Sequence, residues 1–165
     1  MHDHPVIMMK TELRELRNDE TELLKEFLYE AIFIPEGTEP PERSIVELPE
    51  LAVYYDRFGE GEADCGIVAE HDGKAVGAVW ARVMNDYGHI DNNTPSLAIS
   101  LYREYRGKGI GSLLLDEMLK MLKARGYSQV SLAVQKANYA VRMYEKAGFR
   151  TVDENEEEYI MICRL

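Results

Sequence analysis

The chain contains 165 residues, of which 45% are hydrophobic and 30% are charged, and it carries a formal net charge of −11. A chain of this length is expected to fold as one domain that buries most of its apolar surface. The acidic balance argues against nucleic acid as a partner, because the phosphate backbone repels a negative surface. No apolar run approaches the roughly 20 residues of a membrane-spanning helix, so no membrane partner is expected.

The two cysteines and the amino-terminal residues bear on the cellular compartment. Cys65 and Cys163 lie far apart in strand-like sequence, and neither has a Cys or His at metal-ligand spacing. Free buried thiols in a reducing cytoplasm are the simplest interpretation, and a disulfide is the alternative. Residues 1–5 lack the basic start and long apolar core of a signal peptide, so a cytoplasmic location is expected. Within a single domain over 1–165, residues 1–9 are expected to be peripheral or disordered.

The chain begins with a predicted strand and a predicted helix. Residues 11–17 form a plausible first strand with a mixed pattern. A helix is predicted from a cap at Asn18 or Asp19 through Ala31. Its apolar residues recur at helical spacing and define one face. They are Leu23, Leu24, Phe27, Leu28 and Ala31.

A second helix and a hairpin are predicted next. Pro49 can start a helix, which we expect to end at Gly59. The apolar runs 66–70 and 75–83 flank a short polar segment that contains Asp72-Gly73. An Asp-Gly pair between two apolar runs is a strong signal for a β-hairpin.

The second half of the chain alternates between strand and helix patterns. The predicted elements are strand 97–102, a helix from Ile110 ended by Gly126, strand 129–134, a helix over 139–147, and strands 149–152 and 159–165. Together with the first half, this order predicts a mixed α/β sheet with helices on both faces.

Three glycines cluster with the cations Arg106 and Lys108 where a strand turns into a helix. The segment Arg103–Gly111 follows the apolar run 97–101 and precedes a helix-like run that starts at Ser112. The first turn of a helix has backbone N–H groups without partners, and its dipole favours negative charge. Glycines let the backbone approach an anion closely. The segment therefore predicts a phosphate or pyrophosphate site, to which Arg106 and Lys108 add positive charge.

The spacing of the glycines distinguishes between the known phosphate-binding loops. A Walker loop requires Ser or Thr after its Gly-Lys pair, but Lys108 is followed by Gly109. A Gly-x-Gly-x-x-Gly fingerprint fails because its last position falls on Ser112 or on a leucine. What remains is Arg-x-x-Gly-x-Gly, formed by Arg106, Gly109 and Gly111. It resembles the acetyl-CoA pyrophosphate loop of the GCN5-related N-acetyltransferase (GNAT) family. A glycine-rich turn without a ligand is the alternative.

A second motif follows about one strand later. The stretch Asn138–Phe149 contains an Asn, an aromatic residue six positions on at Tyr144, and a Gly-Phe pair that leads into the next strand. It looks like the second GNAT signature, and the two signatures together cover roughly residues 94–152. The resemblance implies an α/β fold with a mixed, mostly antiparallel sheet of about seven strands and helices on both faces. The sheet would splay between strands 97–102 and 129–134.

The resemblance also implies an activity. The protein is expected to be an N-acetyltransferase that uses acetyl-CoA as co-substrate and acetylates an amine by direct attack on the thioester, without a metal. Backbone groups of Ile99 and Leu101 would pair with the pantetheine arm, and a backbone N–H near Leu101 would stabilise the tetrahedral oxyanion. Tyr144 would protonate the departing thiolate. The acetyl-CoA contacts implied are Ile99, Leu101, Arg106, Gly107, Lys108, Gly109, Ile110, Gly111, Ser112 and Asn138.

Two of these residues have a purely structural alternative. Asn138 is a natural helix N-cap, and this role alone would explain it. Tyr144 lies one helical turn beyond Val141, where a buried core aromatic residue would be ordinary. We favour the catalytic role for Tyr144 because both signatures are intact.

No motif identifies the general base. An alkyl ammonium group has a pKa of roughly 10.4 and must lose a proton before it can attack. Glu70 lies at the end of its strand beside the hairpin turn, and Asp86 and His89 lie in the loop before strand 97–102. Glu104 lies on the pyrophosphate side and is disfavoured. Each of these residues has a solvated surface role as its alternative, and the choice requires geometry.

The acceptor is the least determined feature. Acidic segments 36–42, 60–64 and 153–158 lie in predicted loops and would attract an amine or a lysine-bearing peptide. Solvated loops that keep the protein soluble are the alternative. A non-catalytic acetyl-CoA sensor or interaction module on the same fold, and a transferase of longer acyl chains, also stay open. The resemblance slightly favours a homodimer.

Overall fold

The structure of the chain, a computed structural model, describes residues 11–165. One sheet of seven strands runs in the order β1-β2-β3-β4-β5-β7-β6. All neighbouring strands are antiparallel except β4 and β5, which are parallel. The strands are β1 (Thr11–Glu15), β2 (Cys65–His71), β3 (Lys74–Arg82), β4 (Ser96–Leu101), β5 (Gln129–Gln135), β6 (Arg150–Glu154) and β7 (Glu158–Arg164). The predicted mixed, mostly antiparallel sheet is confirmed.

Helices cover both faces of this sheet, as predicted. The helices are α1 (Thr21–Ala31), α2 (Pro49–Ala52), α3 (Ile110–Ala124) and α4 (Ala140–Ala147), with 3₁₀ turns at Arg43–Glu47 and Arg103–Tyr105. One apolar cluster joins α3 and α4 to the sheet, and a second joins α1 and the residues around α2 to the opposite face. Since strand side chains alternate between faces, Leu97 and Leu101 of β4 enter the first cluster and Ala98 the second.

The hairpin between β2 and β3 forms where the Asp-Gly pair predicts it. Asp72 and Gly73 have φ values of 53° and 78°. Positive φ at both central residues is the geometry of a two-residue turn whose twist matches the flanking strands. The register pairs Glu70 with Ala75 and His71 with Lys74 across the turn.

The beginning of α1 differs from the prediction. The helix begins at Thr21 after Glu20, so neither Asn18 nor Asp19 caps it. The carboxylate of Glu20 instead accepts the Arg17 N–H at 2.8 Å and pairs with Arg14 at 2.7 Å. These contacts hold the chain in a turn before the helix, so that β1 also ends early, at Glu15.

The predicted helix from Pro49 to Gly59 is wrong, because α2 ends at Ala52 and turns follow. The guanidinium group of Arg82 accounts for the break. It donates to the carbonyls of Val53 at 3.1 Å and Asp56 at 2.7 Å, which would otherwise accept helical bonds. A tertiary contact therefore overrides the local helical pattern.

Three further expectations concern the amino-terminal residues, the cysteines and membrane-spanning helices. Residues 1–9 lie outside the described residues, so that expectation stays a prediction. Cys65 and Cys163 are both free and buried, as the sequence indicates. Between residues 11 and 165, the helices are too short or too polar to cross a bilayer.

Candidate active site

The strands β4 and β5 share one paired position and then diverge. Ser96 of β4 is the register partner of Ser131 of β5, whose N–H donates to the Pro95 carbonyl at 2.9 Å. Within the described part of the chain no other residue pair joins the two strands, although β5 continues to Gln135. A wedge-shaped gap therefore opens from Ser96 toward the carboxyl ends of both strands, as the family resemblance implies.

Backbone groups of β4 face this gap. The Tyr102 N–H donates to β3 at 3.0 Å, whereas the Pro95 carbonyl accepts from β5. Since successive residues of a strand direct their N–H and C=O groups to opposite sides, Ile99 and Leu101 direct theirs toward β5. These are the two residues predicted to pair with the pantetheine arm, and β5 has no register partner for either of them.

The loop between β4 and α3 presents a run of free N–H groups. No acceptor in residues 11–165 receives a hydrogen bond from the N–H groups of residues 107–112. Gly107 and Gly109 have φ values of 73° and 87°, a left-handed conformation that glycine adopts without strain. A Cβ atom on Gly111 would lie 3.3 Å from the sulfur of Met143, so Gly111 faces a side chain of α4. Free N–H groups at the positive end of a helix are the features of an anion-binding site.

Arg106 ties this loop to two neighbouring elements. Its Nε donates to the Leu101 carbonyl at 2.9 Å, and its Nη2 donates to the Glu30 carbonyl at 3.0 Å. The same Nη2 lies 3.6 Å from the carboxylate of Glu30, near the negative end of α1. The Leu101 carbonyl is therefore occupied, while the Leu101 N–H still faces the gap. Lys108 forms no ion pair with any described residue.

Tyr144 of α4 lies in the cluster that borders the gap. Its side chain is only 8% exposed and packs edge-on against Phe149, with ring centroids 5.8 Å apart. The cluster also contains Leu101 of β4 and Val134 of β5. No group in residues 11–165 hydrogen-bonds with its hydroxyl. Burial raises the pKa of Tyr144 above its ordinary value, so the phenol stays protonated at neutral pH.

Asn138 lies two residues before the helix that carries Tyr144, whose N-cap residue is Tyr139. The side-chain oxygen of Asn138 accepts the Ala140 N–H at 2.9 Å, which satisfies a free donor of the first turn. The helix begins at Ala140, one residue later than predicted. The amino group of the Asn138 amide has no partner in the described part of the chain, so it is available to a ligand.

The sequence of the chain also matches a known protein family. The family model described as acetyltransferase (GNAT) family matches residues 15–149 of the chain. The chain belongs to the GNAT family. An acetyltransferase of Pectobacterium atrosepticum is 32% identical over 106 residues, covering 64% of this chain and 70% of that protein. An N-alpha-acetyltransferase of Sulfurisphaera tokodaii is 31% identical over 137 residues, covering 72% of this chain and 81% of that protein.

Solved structures agree with the fold. The PaiA N-acetyltransferase of Thermoplasma acidophilum, solved in complex with coenzyme A, has a TM-score of 0.69 and 24% identity to this chain. The match covers 94% of this chain and 99% of that chain. The family and its named relatives make this GNAT protein an acetyltransferase.

Of the predicted base candidates, Asp86 lies at the closed end of the gap. Its Oδ1 accepts the Ser96 hydroxyl at 3.1 Å, and its Oδ2 accepts the Tyr54 hydroxyl at 3.0 Å. Burial raises the pKa of Asp86, although both hydrogen bonds oppose the rise. The carboxylate thus lies beside Ser96, the residue at which β4 and β5 separate.

The other candidates lie elsewhere or are engaged. Glu70 of β2 accepts from the Arg14 Nε at 2.7 Å, on the side of the sheet edge and away from β5. The Nδ1 atom of His89 lies 2.9 Å from the Met84 carbonyl, within its own loop. Glu104 is exposed in the 3₁₀ turn next to the pyrophosphate loop.

The serine pair at the closed end of the GNAT gap was not predicted from the sequence. Ser96 and Ser131 are both fully buried, and their hydroxyl oxygens lie 3.2 Å apart. Each is a polar residue inside an otherwise apolar strand, which is a signal that the sequence contains. The partners that satisfy these hydroxyls come from another loop, and no local pattern indicates them.

Proposed function

We propose that this GNAT protein transfers the acetyl group of acetyl-CoA to an amine, which is either a small amine or a peptide amino group. One observation carries the proposal: the unpaired edge of β4 leads directly into the free N–H groups of residues 107–112. An extended acyl carrier with an anionic end suits this combination. The similar Thermoplasma acidophilum protein, which was solved with coenzyme A, supports the same donor.

The donor site uses backbone groups more than side chains. The N–H groups of residues 107–112 and the positive end of α3 would hold the pyrophosphate. The gap-facing groups of Ile99 and Leu101, with the Asn138 amide, would hold the pantetheine arm as an added strand. Arg106 would keep this edge and the loop in register through its bonds to the Leu101 and Glu30 carbonyls. Much of the rate gain would then come from orientation of the two substrates.

The chemistry follows from the groups that border the gap. An amine nitrogen attacks the thioester carbonyl, and a gap-facing N–H of β4 stabilises the oxyanion. The C–S bond breaks with its electron pair on sulfur, and the phenol of Tyr144 supplies the proton that forms the thiol. The phenol of Tyr144 is protonated at neutral pH, because burial raises its pKa above the ordinary value.

The acceptor class rests on charge and on a named relative. The net charge of −11 favours cationic acceptors. The Sulfurisphaera tokodaii relative is named an N-alpha-acetyltransferase, which supports a peptide amino end as one acceptor.

The test is release of the CoA thiol from acetyl-CoA in the presence of pooled acceptors. The pools are polyamines, aminoglycosides, amino acids and peptides with free amino ends. We expect thiol release with one pool and acetylated product of matching mass. Binding of acetyl-CoA without thiol release in any pool would favour a sensor module instead.

A further inference from the structure

The loop that carries Asp86 is fixed against the closed end of the gap. The Gly88 carbonyl accepts the Ser131 hydroxyl at 2.7 Å. A Cβ atom on Gly88 would lie 3.2 Å from the backbone nitrogen of Ala133, so the loop lies directly on β5. The carboxylate of Asp86 is therefore held in place by two strands, through Ser96 of β4 and through the loop contact with β5.

The charge of Asp86 has no compensating cation. Its hydrogen bonds come from neutral groups, which are the hydroxyls of Tyr54 and Ser96 and the backbone of Asp86 and Gly88. No Lys, Arg or His side chain of residues 11–165 forms an ion pair with it. Asp86 is partly buried. A partly buried carboxylate without a cation is unfavourable for stability, and groups whose pKa is shifted in this way concentrate at functional sites. Glu158 of β7 adds a second negative group, and the charge of Asp86 helps to raise the pKa of Glu158.

Asp86 and Tyr144 lie on opposite faces of the sheet. Ser96, which donates to Asp86, shares its face of β4 with Ala98, which packs with α1 and the residues around α2. Tyr144 packs in the cluster of α3 and α4 on the other face. A thioester held along the edge of β4 would therefore have a carboxylate on one side and a phenol on the other. This arrangement allows a base on one side to accept a proton from the amine and an acid on the other side to protonate the departing sulfur.

We propose that Asp86 is the base that accepts a proton from the attacking amine, directly or through one water. This inference rests on the proposed acetyl transfer. Ser96 and Tyr54 act as positioning residues, because they hold the two oxygens of the carboxylate. The charged and titratable groups that face Asp86 are Tyr54 from the segment after α2 and Glu158 from β7.

The proton balance is complete with these groups. The acceptor enters as an ammonium ion, and Asp86 takes one proton to leave a neutral amine. The nitrogen lone pair forms the N–C bond, and the C–S bond breaks with its electrons on sulfur. Sulfur takes a proton from Tyr144, and the second proton of the nitrogen restores the phenol through water. Asp86 then releases its proton to solvent.

The first test is Asp86→Asn, which keeps the shape and removes the basic oxygen. We expect kcat to fall about a hundredfold or more, with the Kd for acetyl-CoA unchanged. The fall should be smaller for amines of low pKa, because these are already neutral at the assay pH. The matched control is Asp91→Asn, an exposed carboxylate of the same loop, which should leave kcat unchanged.

A second variant tests the role of Asp86 even if Asp86→Asn does not fold. Tyr54→Phe removes one hydrogen bond that lowers the pKa of Asp86. The acid limb of the rate profile, where activity rises as Asp86 loses its proton, should therefore move to higher pH. An unshifted acid limb, or normal kcat in Asp86→Asn, would overturn the role of Asp86 while acetyl transfer stands. No thiol release by the unaltered protein with any amine would overturn both.

Discussion

At the scale of single residues, a change at Tyr144 distinguishes a catalytic role of its hydroxyl from a packing role of its ring. The Tyr144→Phe change removes only the hydroxyl, which has no hydrogen-bond partner in residues 11–165. The ring, its contact with Phe149 and the cluster remain, so Tm and acetyl-CoA binding should not change. We expect kcat to fall about a hundredfold, the size of a typical proton-transfer contribution. Steady-state kinetics with thermal unfolding checks this, and full activity would make Tyr144 a core residue alone.

Arg106 is predicted to stabilise the fold as well as to contact the ligand. Its guanidinium group spans the Leu101 and Glu30 carbonyls, and it is partly buried. Arg106→Ala should therefore lower the free energy of unfolding by about 1–3 kcal/mol, the range for hydrogen bonds of a charged donor. Lys108→Ala, which removes a cation without such bonds, should leave it unchanged. Urea unfolding of both variants shows whether Arg106 stabilises the loop or only contacts the pyrophosphate.

At the scale of elements, a buried ion pair holds the segment after α2 against the sheet. Arg82 and Asp64 lie 3.1 Å apart, with side chains only 11% and 2% exposed. Removal of one partner leaves an uncompensated buried charge, which typically costs 3–5 kcal/mol. Asp64→Ala should therefore lower the free energy of unfolding by about that amount.

The control for this pair is an exposed aspartate. Asp19 is 84% exposed and lies 3.8 Å from Arg17. Asp19→Ala should change stability by less than about 0.5 kcal/mol, as is usual for surface sites. Equal losses in the two variants would show that Asp64 is not a buried anchor.

Elements whose rules are local could be predicted from the sequence. The Asp72-Gly73 turn, the glycine loop before α3 and the bond from the Ala140 N–H to Asn138 each depend on neighbouring residues alone. The segment from Val53 to Gly59 could not, because its helical pattern competes with Arg82 from β3. Arg82 lies too far from this segment in the sequence for a local pattern to include both.

At the scale of the whole molecule, the acetyl-CoA side of the gap can be predicted from the sequence more readily than the acceptor side. The donor side follows one continuous stretch from β4 into α3, so its motif appears in the sequence. The base site assembles Tyr54, Asp86, Ser96 and Ser131 from three separate parts of the chain. The sequence could name Asp86 only as one candidate among several, because its position depends on how strands and loops meet.

Binding of acetyl-CoA in the gap is tested most directly by amide hydrogen exchange. The N–H groups of residues 107–112 have no acceptors in the described chain, and those of Ile99 and Leu101 face the gap. Saturating acetyl-CoA should slow exchange in peptides that cover residues 99–112 and leave those from β1 and β2 unchanged. Unchanged exchange over residues 107–112 at saturating acetyl-CoA, or protection confined to other elements, would contradict this donor site.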